Sequence, residues 1–426
     1  RFVGRFDKRD AAGPKAAWPG SRVIARFSGT GVDVELAETK GASGETSRWD
    51  VFVDGTLQAQ TLAPTEGTKT YTLATGLAAG VHTVELHRRT ESYYGTTQLR
   101  QMTFPGGALL PPPAAPSRRM EFLGDSGSDG YGIEGAGPAC SGSSTNQNER
   151  KGYAALTAKA LGADHFNLSY SGKGVFQNLD RSDTDLYGLL YQRALPDDAT
   201  STWSFGDYTP DVVVVNMGNN DWDQPDPMKF DPPALASFKA SYDTLVGTVR
   251  AKYPSAWIFC TMNPTITDFY PAGYNAYTNM KNAVTQVVTA RKATDAKIEY
   301  FEFTPRATEA DVTGCDYHPS PTYAQALAEG VAKRLGLAAD YAMPAFEDPV
   351  YYADKSEALP VNVTPDDSKI ENAEDNARLK SVFRRGLDTP VSVVLPVQKW
   401  NALAHGKWRS EKWKFRKPKL YLAPGD

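Results

Sequence analysis

The sequence predicts an all-β domain followed by an α/β domain, and three observations carry that expectation. Up to about residue 105, short alternating runs are bounded by Gly, Asp and Pro. From about 120 to 340, nearly continuous apolar runs alternate with helical stretches. Between the two lies "PGGALLPPPAAPSRR" (105–119), too dense in proline for either pattern.

In the first region the runs are "SRWDVFVDG" (47–55), "KTYTLATGL" (69–77) and "GVHTVELHRRT" (80–90). Strands at this spacing, with turn residues between them, predict a sandwich or jelly roll over residues 1–105. The connector, 106–118, is expected to be extended and semi-rigid. In the next region, 119–343, five stretches read as buried parallel strands: "RMEFLGD" (119–125), "DHFNLSYSG" (164–172), "DVVVVNMGN" (211–219), "SAWIFCTMN" (255–263) and "KIEYFEF" (297–303). Strands covered on both faces lose the polar alternation of a half-exposed sheet, which is what these runs show. Helical patterns fall between them, at 150–162, 234–254 and 278–294, and a last one at 321–336 closes the set. The alternation predicts a doubly wound, three-layer α/β domain with a parallel sheet. Residues 344–426 change character again: a Pro- and Asp-rich stretch leads to the cationic-aromatic run Lys407–Lys419, which reads as a solvated sheet face rather than a polyanion patch. The sequence assigns this last segment no fold.

Composition narrows the function classes. With 41% hydrophobic and 23% charged residues the chain is ordinary for a globular protein, and a formal net charge of −4 argues against nucleic acid as main partner. No apolar run approaches the roughly 20 residues that cross a bilayer, so no membrane partner is expected. The opening "RFVGRFD" fits a processed or a trimmed chain and does not separate the two. Cys140, Cys260 and Cys315 permit one disulfide and leave one thiol over, and none has zinc-like spacing, so no metal site is expected.

In an open α/β sheet, ligands bind beyond the carboxyl ends of the strands. Four stretches fall there: "GDS" (124–126), "SYSGKG" (169–174), "GNND" (218–221) and "DYHPS" (316–320). Each has a bland reading when taken alone. Ser126 is one serine in a glycine-rich loop, Gly172 is a turn glycine, Asn220 is a helix cap, and His318 is a structural histidine at a helix start. Together they supply what acyl transfer requires: a hydroxyl nucleophile, a base, and neutral donors for the developing oxyanion. The other histidines, His82, His87, His165 and His405, lie in or beside strands or in the tail. His318 is therefore the candidate base for Ser126, with the N–H of Gly172 and the amide of Asn220 as donors.

The combination of GDS, a glycine after the second strand, GNND and a late Asp/His loop resembles the SGNH, or GDSL, hydrolase superfamily. With "FVGRFD", "AWPGSRVIARFSGTGV" (17–32), "HRRTE" (87–91) and "GCDYHPS" (314–320), the chain resembles carbohydrate esterase family 2, whose members carry a β jelly roll before the SGNH domain. That resemblance covers about residues 1–340. It implies a secreted or extracytoplasmic bacterial enzyme that removes acetyl groups from plant polysaccharides such as xylan or glucomannan, without metal or organic cofactor. It makes Ser126 the nucleophile, His318 the base, and the N–H groups of Ser126 and Gly172 with the Asn220 amide the oxyanion hole. Tyr317 and Trp222 are candidate substrate-stacking aromatics.

Two positions depart from the superfamily pattern. The acid expected three residues before the histidine is replaced by Cys315. Asp316, the candidate third acid, is only two residues before it, and in an extended stretch would point to the other face. The family 2 pattern resembles a Ser–His dyad whose imidazole is oriented by a backbone carbonyl. A disulfide from Cys315 to Cys140 or Cys260 would tether the histidine loop, and a free buried thiol is the alternative. The second departure is Gly127-Ser128, where the superfamily has an aliphatic and then a small polar residue; it leaves room for a looser turn and makes Ser128 a minor rival nucleophile. The tail, including "WRSEKW" (408–413), resembles a segment of large bacterial proteins associated with transglutaminase-like enzymes, and no activity carries over from it. Two other readings stand beside the deacetylase: a lipase, thioesterase or arylesterase on the same scaffold, and a non-catalytic glycan-binding protein.

Overall fold

A computed structural model describes residues 1–335, apart from Pro225, Pro227, Thr304, Pro305 and Ala307. The expected accessory segment 344–426 and its Lys407–Lys419 run lie outside the described residues.

The N-terminal region is β throughout, apart from one 3-10 turn at Ser92–Tyr94: β1 (Phe2–Val3), β2 (Lys15–Ala16), β3 (Arg22–Gly29), β4 (Val32–Lys40), β5 (Trp49–Val53), β6 (Thr56–Leu57), β7 (Gly67–Ala74), β8 (Gly80–Arg88), β9 (Gly95–Thr103) and β10 (Leu109–Leu110). They form two antiparallel sheets, ordered β1-β3-β8-β5-β6, with β10 also on β3, and β2-β9-β4-β7. Inward residues alternate along β4, where Val32, Val34 and Leu36 are buried and Asp33 and Glu35 are not, so one face of each sheet closes on a shared core. Within the proline-rich connector, Leu109–Leu110 form β10, which pairs with β3 in the first sheet.

The second region follows in the order β11 (Arg118–Gly124), α1 (Tyr153–Ala160), β12 (Ala163–Ser169), α2 (Tyr187–Leu190), β13 (Val212–Asn216), α3 (Asn219–Trp222), α4 (Leu235–Lys252), β14 (Trp257–Thr261), α5 (Ala276–Lys292), β15 (Ile298–Tyr300) and α6 (Pro321–Leu335). The five strands are all parallel, ordered β12-β11-β13-β14-β15. Period-two alternation sends Met120, Phe122, Val212 and Val214 to one face, against α1 and α6. Leu123, Val213 and Val215 go to the other, against α4 and α5, giving three layers. Strand order reverses at β11, which lies between β12 and β13, so the loop after β11 opens at the sheet's topological switch point. That loop begins with Asp125 and Ser126.

The two regions share a core. Val3, Trp18 and Ile24 of the β-domain join the apolar cluster under α4 and α5. Around that contact lies a buried polar seam: Arg22 pairs with Asp164 at 2.8 Å, and Glu149 accepts from His87 at 2.8 Å and His165 at 2.9 Å. These two histidines thus serve the seam rather than a catalytic loop.

Candidate active site

Strand register brings the candidate residues together. Gly124 of β11 pairs with Ser169 of β12, so Ser126 and the Ser171-Gly172 turn leave adjacent strands at the same level. On the other flank, β13 ends at Asn216 and leads through Gly218 into α3, which carries Asn220. The histidine loop precedes α6.

Ser126 is almost fully buried, and its Oγ lies 2.8 Å from Nε2 of His318, 192 residues away. Nδ1 of His318 faces two carbonyl oxygens, Cys315 O at 3.0 Å and Asp316 O at 3.1 Å. Carbonyls only accept, so Nδ1 carries the proton and Nε2 is left with a lone pair for the serine hydroxyl. Burial lowers the imidazole's pKa from its ordinary value, and the carbonyl bonds work against that without reversing it.

The backbone that presents those carbonyls is unusual. Asp316 and Tyr317 are successive left-handed residues, at φ 52° and 58°. Two such non-glycine residues cost on the order of 1–2 kcal/mol each and persist only when their surroundings hold them. Here the surroundings do so: Cys315 is disulfide-bonded to Cys140, Cys315 N–H donates to Gly132 O at 3.0 Å, and Asp316 N–H to Cys140 O at 3.0 Å. Of the two pairings open to Cys315, Cys140 is the partner, and Cys260 is a free, buried thiol.

The Asp316 carboxylate does not reach His318. It accepts from the Tyr131 hydroxyl at 2.8 Å, and the Tyr131 ring lies against the imidazole with centroids 4.5 Å apart. The third-acid expectation is corrected accordingly: Asp316 serves the imidazole through its backbone carbonyl, because the left-handed turn aims that carbonyl, and not the side chain, at Nδ1. Tyr131 was missed in the sequence, since nothing in "SDGYGIEG" (128–135) separates a ring that packs on a base from a loop tyrosine.

The donor side is organised by buried carboxylates. Asp125 Oδ1 accepts the Gly127 N–H at 3.0 Å and Oδ2 the Asn220 amide at 3.3 Å; burial pushes Asp125 up to about 7. Asn220 also donates to Lys173 O at 3.0 Å. Asp221 accepts three successive backbone N–H groups, from Val175, Phe176 and Gln177, at 2.6–3.0 Å, and burial pushes it up to about 6. Gly172 sits at φ 76° with space around it, so its backbone and not its neighbours demands glycine. Among the described residues, neither the Ser126 nor the Gly172 N–H has a hydrogen-bond acceptor.

Gly127 is not a loose joint. Its N–H is taken by Asp125, Ser128 N–H donates to Asp125 O at 2.8 Å, and a Cβ at 127 would stand 2.5 Å from the amide nitrogen of Asn263. The space where a side chain would stand is filled by Asn263. Ser128, the rival nucleophile, is fully buried against Tyr153 and Asn216. Trp222 must also be corrected: it is buried and packs edge-on against Phe238. Two helical positions beyond Asn220, it points to nearly the opposite side of α3 and cannot face the same cleft. Tyr317 is 59% exposed beside His318.

A serine and an imidazole in contact beyond the carboxyl ends of a parallel three-layer sheet, with unengaged N–H donors nearby, define a serine hydrolase of the SGNH kind. Comparison with known proteins specifies it further. Residues 2–113 match the carbohydrate esterase 2 N-terminal family and residues 122–326 the GDSL-like lipase/acylhydrolase family. Residues 305–426 match a family described as "Putative amidoligase enzyme (DUF2126)", overlapping the previous match over 305–326. The solved structure of a family two carbohydrate esterase from Clostridium thermocellum, in complex with cellohexaose, is 33% identical with a TM-score of 0.71, covering 79% of this chain and 97% of that one. Cellulase/esterase CelE of Acetivibrio thermocellus is 34% identical over 335 residues, and an acetylxylan esterase/glucomannan deacetylase of Cellvibrio japonicus is 28% identical over 269. The matched region spans 78% of this chain but 39% of CelE, and 61% of this chain and 70% of the Cellvibrio enzyme. The chain belongs to carbohydrate esterase family two.

Proposed function

We propose that the protein is a serine esterase that removes O-acetyl groups from plant polysaccharides, xylan or glucomannan, through an acetyl-enzyme. The observation that carries this reading is the 2.8 Å contact between Ser126 Oγ and a His318 Nε2 left basic by its carbonyl-bound Nδ1. Ser126 Oγ attacks the acetyl carbonyl while His318 takes its proton. The N–H groups of Ser126 and Gly172 and the Asn220 amide, which Asp125 and Lys173 O hold in place, receive the oxyanion. Collapse expels the sugar oxygen, which leaves as a hydroxyl with the proton held by His318. Water then attacks the acetyl-serine, its proton passing through His318 to Ser126, and acetate departs. Neutral donors suit this cycle because they stabilise the intermediate without retaining a carboxylate product.

The substrate class is supported by the family and by relatives named as acetylxylan esterases and glucomannan deacetylases. Tyr317, exposed beside the base, is the surface on which a sugar ring would stack. The Cys140–Cys315 disulfide supports an extracytoplasmic location, where such bonds persist and polymeric substrate is found. The test is acetate release from acetylated xylan and glucomannan, set beside hydrolysis of longer acyl esters. Faster turnover of long-chain esters would replace the reading with a lipase-like one, and no turnover of any ester would leave a glycan-binding protein.

A further inference from the structure

One buried acid near the site belongs to the other domain. Glu91 lies between β8 and β9, at the start of the 3-10 turn Ser92–Tyr94, and is fully buried. Its carboxylate crosses into the α/β domain. Oε2 accepts the Ser171 N–H at 2.7 Å and Oε1 accepts the Ser171 hydroxyl at 2.5 Å. Gln147 holds Glu91 from behind, its Oε1 taking the Glu91 N–H at 3.0 Å.

We infer that Glu91 is a positioning residue for acyl transfer: by gripping Ser171 at two points it sets the direction of the Gly172 N–H, so the β-domain completes the oxyanion hole. The inference rests on the proposed function, in which Gly172 is an oxyanion donor. Beyond Glu91, the only other described residue that bonds to Ser171 is Asp129, whose Oδ2 is 3.3 Å from the Ser171 hydroxyl. A serine hydroxyl has one proton, and the shorter contact to Glu91 takes it. Downstream, Asp221 fixes the loop through Val175, Phe176 and Gln177. Gly172 O accepts the Leu179 N–H at 2.8 Å, and a carboxylate from each domain anchors the chain on either side, Glu91 at Ser171 and Asp221 at Val175–Gln177. At φ 76° Gly172 has little intrinsic preference of its own, so its direction depends on those anchors.

Burying this carboxylate is costly. Burial, with Asp197 adding like charge, pushes Glu91 up to about 7, and Arg88 is a buried cation that offsets it. A domain contact alone would not need an acid there, because Arg22–Asp164 and the Glu149 seam already join the domains.

The test is steady-state acetate release from acetylated xylan by wild type, Glu91→Gln, Glu91→Ala, Ser171→Ala, the Glu91→Gln/Ser171→Ala double variant and Ser126→Ala, each with thermal unfolding recorded. Glu91→Gln keeps the volume but turns a donor toward Ser171, and it decides the matter if Glu91→Ala does not fold. The expected result is a kcat loss on the order of 10–100-fold in Glu91→Gln, with KM within about twofold of wild type. Ser171→Ala, which keeps its N–H, should lose less, and the double variant no more than Glu91→Gln alone. A folded Glu91→Gln with wild-type kcat, while Ser126→Ala is dead, would overturn the inference and leave the function standing. Equal losses in kcat and in substrate binding would overturn it too, as the mark of a domain contact only. An active Ser126→Ala would bring down the proposed function and this inference together.

Discussion

Whereas the imidazole of His318 rests on two backbone carbonyls, the proposed oxyanion donors on the other side of Ser126 are organised by carboxylates. On the base side the Asp316 carboxylate accepts from Tyr131, and Asp223 acts on the imidazole only through its charge. The geometry there comes from a left-handed turn stapled by Cys140–Cys315. The donor side uses Asp125 on Asn220 and Gly127, and Asp221 on three backbone N–H groups. Charge is kept away from the base and placed behind the donors. A carboxylate on Nδ1 would stabilise the imidazolium more than a carbonyl does, but a carbonyl fixes the tautomer without adding charge to the cleft. On the donor side the acids stand behind neutral groups, which alone face the oxyanion.

Substitutions on each side of Ser126 separate the two arrangements. The largest effect is expected at the residues both sides serve: Ser126→Ala and His318→Ala should each lower kcat by about 10³-fold or more. Retention of acetate release in either would remove the reaction from this site. Next comes the donor side, where Asn220→Ala should cost about 10²–10³ in kcat with little change in KM, read from the same assay.

A smaller loss, on the order of tenfold in kcat, is expected from the Cys140→Ser/Cys315→Ser pair, since hydrogen bonds to Gly132 and Cys140 backbone still guide the turn. The same variant should melt earlier, with loop entropy setting an upper bound of about 5 kcal/mol. Unchanged kcat would show that the staple serves stability alone.

The two sides should also titrate separately. Neutral imidazole is the active base, so a lowered His318 keeps activity until pH falls through a value below the ordinary 6.5 or so. Asp125, raised to about 7, takes up a proton earlier on the way down and loosens its hold on Asn220. The kcat/KM profile should therefore fall in two steps on the acid side, and a single step centred above about 6.5 would contradict it.

Much of the fold was legible because both patterns are local. Doubly buried strands such as "DVVVVN" and the 3.6-residue rhythm of the 234–254 helix need no long-range information. Ser126, Gly172, Asn220 and His318 could be singled out because each ends or follows an element whose position the pattern gives. What could not be read depends on direction within a turn. The sequence does not reveal that Asp316 and Tyr317 are left-handed, so an extended histidine loop was the natural expectation. Trp222 looked like a loop aromatic because the four-residue helix around it is too short to leave a periodic signal. Glu91 and Tyr131 are far from their partners in sequence, Ser171 and His318, and only the packing of two domains and a disulfide loop brings them close.

The most direct test of the contrast is to neutralise one acid on each side and compare kcat in one acetate-release assay. Asp125→Asn turns an amide donor toward Asn220 and should cost about 10²-fold, while Asp316→Asn leaves its carbonyl in place and should stay within about threefold of wild type. Equal losses, or a larger one from Asp316→Asn, would mean that the imidazole relies on that carboxylate after all, and that the division between the two sides is wrong.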